Sequence, residues 1–265
     1  MKVRDIALAI EEFAPLSLQE SYDNAGLVVG RLEDEVHSAL LAVDVTEEVI
    51  AEAKQKGCDM IITHHPIIFQ AMKRFNSSTY VERCVEEAIR SGIVLYAAHT
   101  NLDSTIDGMS WRVGQMLGLG NMTVLQSTNS EGAGFGVVGE LANEESSEEF
   151  MQRVMKIFDV KAMRHSDIVC PSIRKVAICT GSGGSLIDQA RKSGADIYLT
   201  SDLKYNDFMR HENSIILADI GHFESEYCAI QILFDILSKK IPIFAACKSV
   251  CSRNPVNYMV GEAKR

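Results

Sequence analysis

Histidines and carboxylates placed at the ends of apolar runs are the residues of this chain best suited to chemistry. Residues 60–69 read MIITHHPIIF, so His64 and His65 stand side by side where an apolar run stops. A single histidine there is ordinarily a hydrogen-bonded core residue; two adjacent ones are harder to assign to packing. Extended residues project to opposite faces, so the pair would serve two ions if the strand continued through it. Pro66 lacks an N–H and disfavours a helical His65, which predicts that the chain leaves the sheet here as an extended segment or turn. Both imidazoles then lie at the carboxyl end of a strand, where open α/β sheets build their sites.

Other donors have the same setting. AHTNLD at 98–103 offers His99 and Asp103, and GHFESE at 221–226 offers His222 and Glu226. Phe223, Tyr227, Ile230, Phe234 and Leu237 recur at helical spacing, while His222 and Glu226, four apart, share an adjoining face and reach one ion or a close pair. The set His64, His65, His99, Asp103, His222 and Glu226 contains only nitrogen and oxygen donors, which suits zinc, manganese, iron, cobalt or nickel. It exceeds what one catalytic zinc with three protein ligands needs, so two divalent ions per subunit is the economical count. Asp103 and Glu226 are the candidate bridging carboxylates, and Asp44 is placed to orient an imidazole from behind.

The elements that must position these residues alternate. LLAVDV is followed by a helix with Thr46 as N-cap, Glu47 and Glu48 in its first turn and Gly57 as its stop. The histidine-bearing strand, a helix over residues 78–90 and the strand GIVLYAA complete a βαβαβ unit. The first residues form an amphipathic helix with Ile6, Ile10 and Phe13 on one face, ended by Pro15. After residue 125 come the glycine-rich EGAGFGVVGEL, a polar helix start in ANEESSEEF with its solvated cluster EESSEE, and strands beginning IRKVAICT. We therefore expect an α/β protein of two interlinked lobes with largely parallel or mixed sheets. Residues 1–125 carry the His-His and HTNLD donors and 126–265 carry GHFESE, with a return of the C-terminal segment to the first lobe left open.

The second half echoes the first. A shift of 137 residues aligns VIAEAKQKGCDMIIT with LIDQARKSGADIYLT, and a shift of 123 places His99 opposite His222 and Asp103 opposite Glu226. Shared α/β punctuation accounts for part of the first match, but the doubled His-x-x-x-carboxylate points to an internal duplication.

Composition narrows the function. With 265 residues and 46% hydrophobic content the chain can bury a large core. A formal charge of −10 and a pI near 5.2 argue against general binding to nucleic acid or anionic membranes. Seven scattered cysteines, an odd number with no C-x-x-C, fit reduced thiols in a cytoplasmic protein. Neither a signal-peptide pattern nor an apolar run of membrane-spanning length is present. TGSGG at 180–184 reads as a tight turn before it reads as a phosphate cradle, and Trp111 is expected to pack in a helix opened near Asp107.

YDNAGLVVG at 22–30, AVDVTEEVI at 42–50, THHPIIF at 63–69, AHTNLD and GHFESE together resemble the dinuclear-metal, ring-hexamer proteins called NGG-interacting-factor-like, named in many cases GTP cyclohydrolase 1 type 2. The resemblance implies a two-lobed α/β protomer with two metals on His64, His65, Asp103, His222 and Glu226, His99 as a lining or supplementary ligand, and assembly into a toroidal homohexamer. TSDLKYND departs from the family's T-G-[DE] followed by histidine, with Ser201 for the glycine and Asn206 at the histidine position.

The expected function is a metal-dependent hydrolase in which His99 and Asp202 are the candidate proton carriers. By resemblance the reaction is GTP to dihydroneopterin triphosphate and formate, with Lys204, Lys73, Arg74 and TGSGG as candidates to hold the triphosphate. Alternatives are two-metal hydrolysis of a phosphoester or nucleotide, or a metal-binding scaffold hexamer without turnover.

Overall fold

The computed structural model describes residues 1–128 and 132–259; Glu131, which opens the glycine-rich run, lies outside them. The chain runs α1 (Val3–Glu11), β1 (Gly26–Val29), β2 (Ser38–Ala42), α2 (Glu47–Lys56), β3 (Met60–Thr63), α3 (Tyr80–Ser91), β4 (Val94–Ala97), α4 (Thr100–Ser104) and α5 (Met109–Met116). It continues with β5 (Gly120–Ser127), β6 (Gly134–Ser146), α6 (Ser147–Ile157), β7 (Arg164–His165), β8 (Ser172–Ser182), α7 (Ile187–Lys192), β9 (Ile197–Ser201), α8 (Tyr205–Phe208), β10 (Ile216–Asp219), α9 (His222–Glu226), α10 (Cys228–Lys240) and β11 (Ala245–Lys248). Two compact units result. The first gathers Met1–Arg112, Ser127–Phe135 and Tyr227–Ser252, and the second Val113–Gln126, Gly136–Glu226 and the segment from Arg253.

The first unit holds a sheet ordered β1-β4-β3-β2-β11, parallel except for β1, which runs antiparallel to β4. Its central strands are covered on both faces, which is why SALLA, MIIT and VLYA are nearly continuous apolar text. Leu40, Ile61 and Leu95 pack against Val49, Ile50 and Ala53 of α2 and Cys84 and Ala88 of α3. Thr46 accepts from Val49 N at 3.2 Å and Gly57 ends α2 at φ +67°, so that helix starts and stops where its sequence dictates.

The second unit holds a sheet ordered β5-β6-β8-β9-β10-β7, in which β8, β9 and β10 are parallel while β6 and β7 run antiparallel to their neighbours β8 and β10. The echo read from the sequence recurs in the topology. In both units three consecutive parallel strands, β2-β3-β4 or β8-β9-β10, have an antiparallel strand beside the third, and that third strand leads into a five-residue helix, α4 or α9; the first sheet adds β11 as a fourth parallel strand. Gly57 and Gly194 take the same left-handed φ at the aligned helix stops.

Two elements differ from the sequence expectation. Helix α1 stops at Glu11, leaving the half-buried Phe13 in the turn that closes through Ala14 N to Ile10 O, because the chain must leave the helix ahead of Pro15. In ANEESSEEF, residues 142–146 belong to β6, whose ladder to β8 runs through Glu145↔Ile173 and Ser146↔Ser172; the helix begins only after Ser146, its N-cap. Trp111 is half-buried in α5, which opens at Met109. No helix among the described residues is long and apolar enough to cross a membrane.

Candidate metal centre

β3 ends at Thr63, so His64 and His65 lie in the bend after the strand. The bend is fixed by two hydrogen bonds: His65 N donates to Val43 O at 3.0 Å, and Thr63 Oγ1 donates to His65 O at 2.8 Å. Leaving the sheet frees the pair from strand alternation, and the two imidazole centroids are 5.0 Å apart. His99, just past β4, brings a third ring 5.3 Å from His64 and 5.4 Å from His65. One ring nitrogen from each of the three lies within 4.8 Å of the others, a spacing that can hold a metal ion. Asp103, one turn along α4, places Oδ1 3.8 Å from His64 Nε2.

Each ring is held by its other nitrogen. His64 Nδ1 donates to Ala98 O at 2.8 Å, His65 Nδ1 to Asp44 Oδ1 at 2.7 Å and His99 Nδ1 to Asp23 Oδ1 at 2.6 Å. Carbonyl and carboxylate oxygens only accept, so the proton of each neutral ring sits on Nδ1 and the lone pair on Nε2, the tautomer that ligation through Nε2 requires. Burial opposes the charge on Asp23, but hydrogen bonds from His99 and Thr100 outweigh it and bring the carboxyl down to about 2. Asp23 also accepts from Thr100 N at 3.0 Å, which ties β4, the start of α4 and the residues ahead of β1 into one frame.

The second unit repeats the device. His222 and Glu226, on one face of α9 as their spacing requires, approach to 3.0 Å between Nε2 and Oε2, and His222 Nδ1 donates to Asp202 Oδ2 at 2.7 Å. Burial opposes a charged His222, yet the hydrogen bonds to Asp202 and Glu226 push its pKa up to about 11; the same bond lowers Asp202. Glu226 is buried over the backbone of Gly181: a Cβ there would lie 2.2 Å from Glu226 Oε1, and φ at Gly181 is +64°.

Of TGSGG, read from the sequence as a tight turn, residues 180–182 prolong strand β8 and only Gly183 and Gly184 make the turn towards α7. Gly181 N donates to Ser225 Oγ, and Gly183 O accepts from the buried Tyr198 hydroxyl. Ser201, in place of the family's glycine, is buried with its hydroxyl on Gly181 O, and Asn206 is exposed on α8. Lys204 is exposed at the start of α8, whereas Lys73 and Arg74 line a groove of about 720 Å³ in the first unit. Phe69 forms part of that groove, with its ring 6.0 Å from His99. The contact of Asp23 with His99 and the close approach of Gly181 to Glu226 join residues far apart in the chain, and no local spacing signals either.

Known proteins place the chain. The model of the family described as Duf34/NIF3 (NGG1p interacting factor 3) matches residues 1–255. A Clostridium acetobutylicum protein named GTP cyclohydrolase 1 type 2 homolog is 36% identical over 244 residues, 91% of this chain and 90% of its own. A Clostridium perfringens protein of the same name is 38% identical over 230 residues, covering 86% and 87%. Among solved structures, a Staphylococcus aureus hypothetical protein superposes with a TM-score of 0.90 at 26% identity, covering 98% of this chain and 99% of that one. A Bacillus cereus protein related to NIF3 also reaches 0.90, with the same coverage at 23% identity, a likeness of fold. With the family model spanning nearly the whole sequence, this chain belongs to the DUF34/NIF3 family.

Proposed function

We propose that this protein is a divalent-metal-dependent hydrolase that holds two ions per chain through His64, His65, Asp103, His222 and Glu226. One observation carries the reading. All four imidazoles are anchored through Nδ1, three of them on carboxylates, so Nε2 is the donor that ligation would use. Among nitrogen and oxygen donors this choice suits zinc, manganese, iron, cobalt or nickel. Ions bound there would supply Lewis acidity and a water acidic enough to ionise near neutral pH.

The chain's own residues set orientation and proton positions. Ala98 O and Asp44 keep His64 and His65 in the ligating tautomer, while Asp202 and Asp23 hold the Nδ1 protons of His222 and His99. We assign Asp202 to positioning His222, and His99 to the substrate side beside Phe69. The groove supports an anionic aromatic substrate: Phe69, Met72 and Tyr80 give it apolar walls. Among the described residues the side chains of Lys73 and Arg74 take part in no ion pair. In a protein of net charge −10 those two cations are the local counterweight that a phosphorylated substrate would need.

The relatives' name makes GTP the first substrate to test. Protein stripped with chelator and reloaded with each metal should release formate from GTP, and His65→Ala and Glu226→Ala should abolish release. Metal-loaded protein that liberates neither formate nor phosphate from GTP or a nucleotide panel would remove the hydrolase reading and leave a metal-binding protein. Assembly into a toroidal homohexamer is part of the proposal, and light scattering that finds a monomer at micromolar concentration would remove that part.

A further inference from the structure

Cys58, in the turn between α2 and β3, and Cys247, on the edge strand β11, place their sulfurs 3.8 Å apart. They meet because β2 pairs with both neighbours: Ala39 lies opposite Met60 on β3, and Leu40 opposite Cys247 on β11. Cys58 is buried at 5% exposure, and Cys247 is half-buried. Lys56, whose ammonium is held by Glu52, lies within electrostatic range of both sulfurs. We propose that Cys58 and Cys247 are a reversible disulfide site, oxidised by peroxide, that fastens the edge strand β11 to the α2–β3 turn.

The order of events follows from exposure. Cys247 is the sulfur that peroxide reaches: its sulfur–oxygen bond forms as the peroxide O–O bond breaks, giving a sulfenic acid and one water. The Cys58 sulfur, already in contact, then attacks Cys247; the S–S bond forms, the S–O bond breaks, and the departing hydroxide takes the Cys58 proton as a second water. Two thiols lose two electrons to one peroxide. Burial pushes the Cys58 thiol up to about 11, with Cys247 adding to the rise, which disfavours Cys58 as the first sulfur oxidised; its contact with Cys247 is what places it to resolve.

The crosslink has a mechanical consequence. Beyond β11, Ser249 Oγ and the N–H groups of Val250 and Cys251 all donate to Glu52, and Ser252 Oγ accepts from Val43 N, next to Asp44. Oxidation would pin the strap that ends against the bend after β2 from which Asp44 orients His65.

The test uses the intact protein. Limited hydrogen peroxide followed by peptide mapping without reductant should give a Cys58–Cys247 linked peptide, lighter by two hydrogen atoms and reversed by dithiothreitol. Amide exchange over 245–252 should slow. Alkylation in denaturant should then count two fewer thiols in the wild-type chain, a readout independent of any variant, and Cys247→Ser should retain all its remaining thiols. Cys247 accumulating as sulfinic or sulfonic acid without a crosslink, or linked to Cys251 instead, would overturn the proposal.

Discussion

His65 Nδ1 lies 2.7 Å from Asp44 Oδ1, and His99 repeats the arrangement with Asp23 at 2.6 Å. In each case the carboxylate sits behind the imidazole, on the opposite side from Nε2, the nitrogen that His65 would offer to metal. Removing such a partner leaves the ligand present but no longer fixed in tautomer or angle. Asp44→Ala should therefore weaken metal binding by about 10- to 100-fold and Asp103→Ala, which deletes a proposed ligand, should lose more, while Asp23→Asn, behind His99 on the substrate side, should lose least. Metal retained per chain after dialysis against a graded chelator ranks the three, and equal losses would mean that Asp103 is no ligand.

The proposal of two ions per chain rests on the donor count. Protein purified without chelator and reloaded should approach two equivalents by elemental analysis, and stripping should lower the unfolding temperature, since a ligand bound only to the folded state stabilises it. A firm ceiling of one equivalent would end the dinuclear proposal.

Gly181 tests how Glu226 is placed. Alanine there would adopt a left-handed φ at a cost of about 1–2 kcal/mol and push its methyl against the Glu226 carboxylate. Gly181→Ala should lower stability by about 2 kcal/mol or more and weaken metal binding as well. Gly194→Ala has the same φ penalty and nothing within 4 Å of its new Cβ, so it serves as the control for strain alone.

Glu52 sets an acid limit on the first unit. Burial raises its pKa, but hydrogen bonds from Lys56, Ser249, Val250 and Cys251 outweigh that and bring it from 4.5 to about 2. A carboxyl depressed on folding adds stability that is fully present above its ordinary value and lost as pH falls from about 4.5 towards 2, with a ceiling of about 3 kcal/mol. Glu52→Gln should lower the urea midpoint at pH 7, and the gap from wild type should narrow at pH 3. A gap independent of pH would show that the carboxylate charge does no such work.

The candidate donors were readable because metal chemistry depends on residue type and short spacing: His64 with His65, His99 with Asp103 and His222 with Glu226 are each local. The anchors were harder. Asp23 lies 76 residues from His99, and nothing in a linear pattern shows that contact. Gly181 looked like turn chemistry because the group that forbids its side chain, Glu226, comes from α9. The alternation of strand and helix gave the α/β class, while antiparallel β1 and β7 are short edge strands whose direction depends on their partners. The misplaced start of α6 has the same origin, since ladder pairing with β8 overrode the polar text of residues 142–146.

Because β11 pairs with β2 and Ser252 reaches Val43 across 209 positions, the first sheet has to wait for almost the last of its residues. A ribosome adding about 5–20 residues per second leaves β2 as an open edge for about 10–40 seconds after its own synthesis. During that interval the β11 of another copy competes for the same edge, the circumstance in which strands are exchanged between chains. The rate of translation between residues 112 and 245 therefore bears on how much of the newly made protein closes its own sheet.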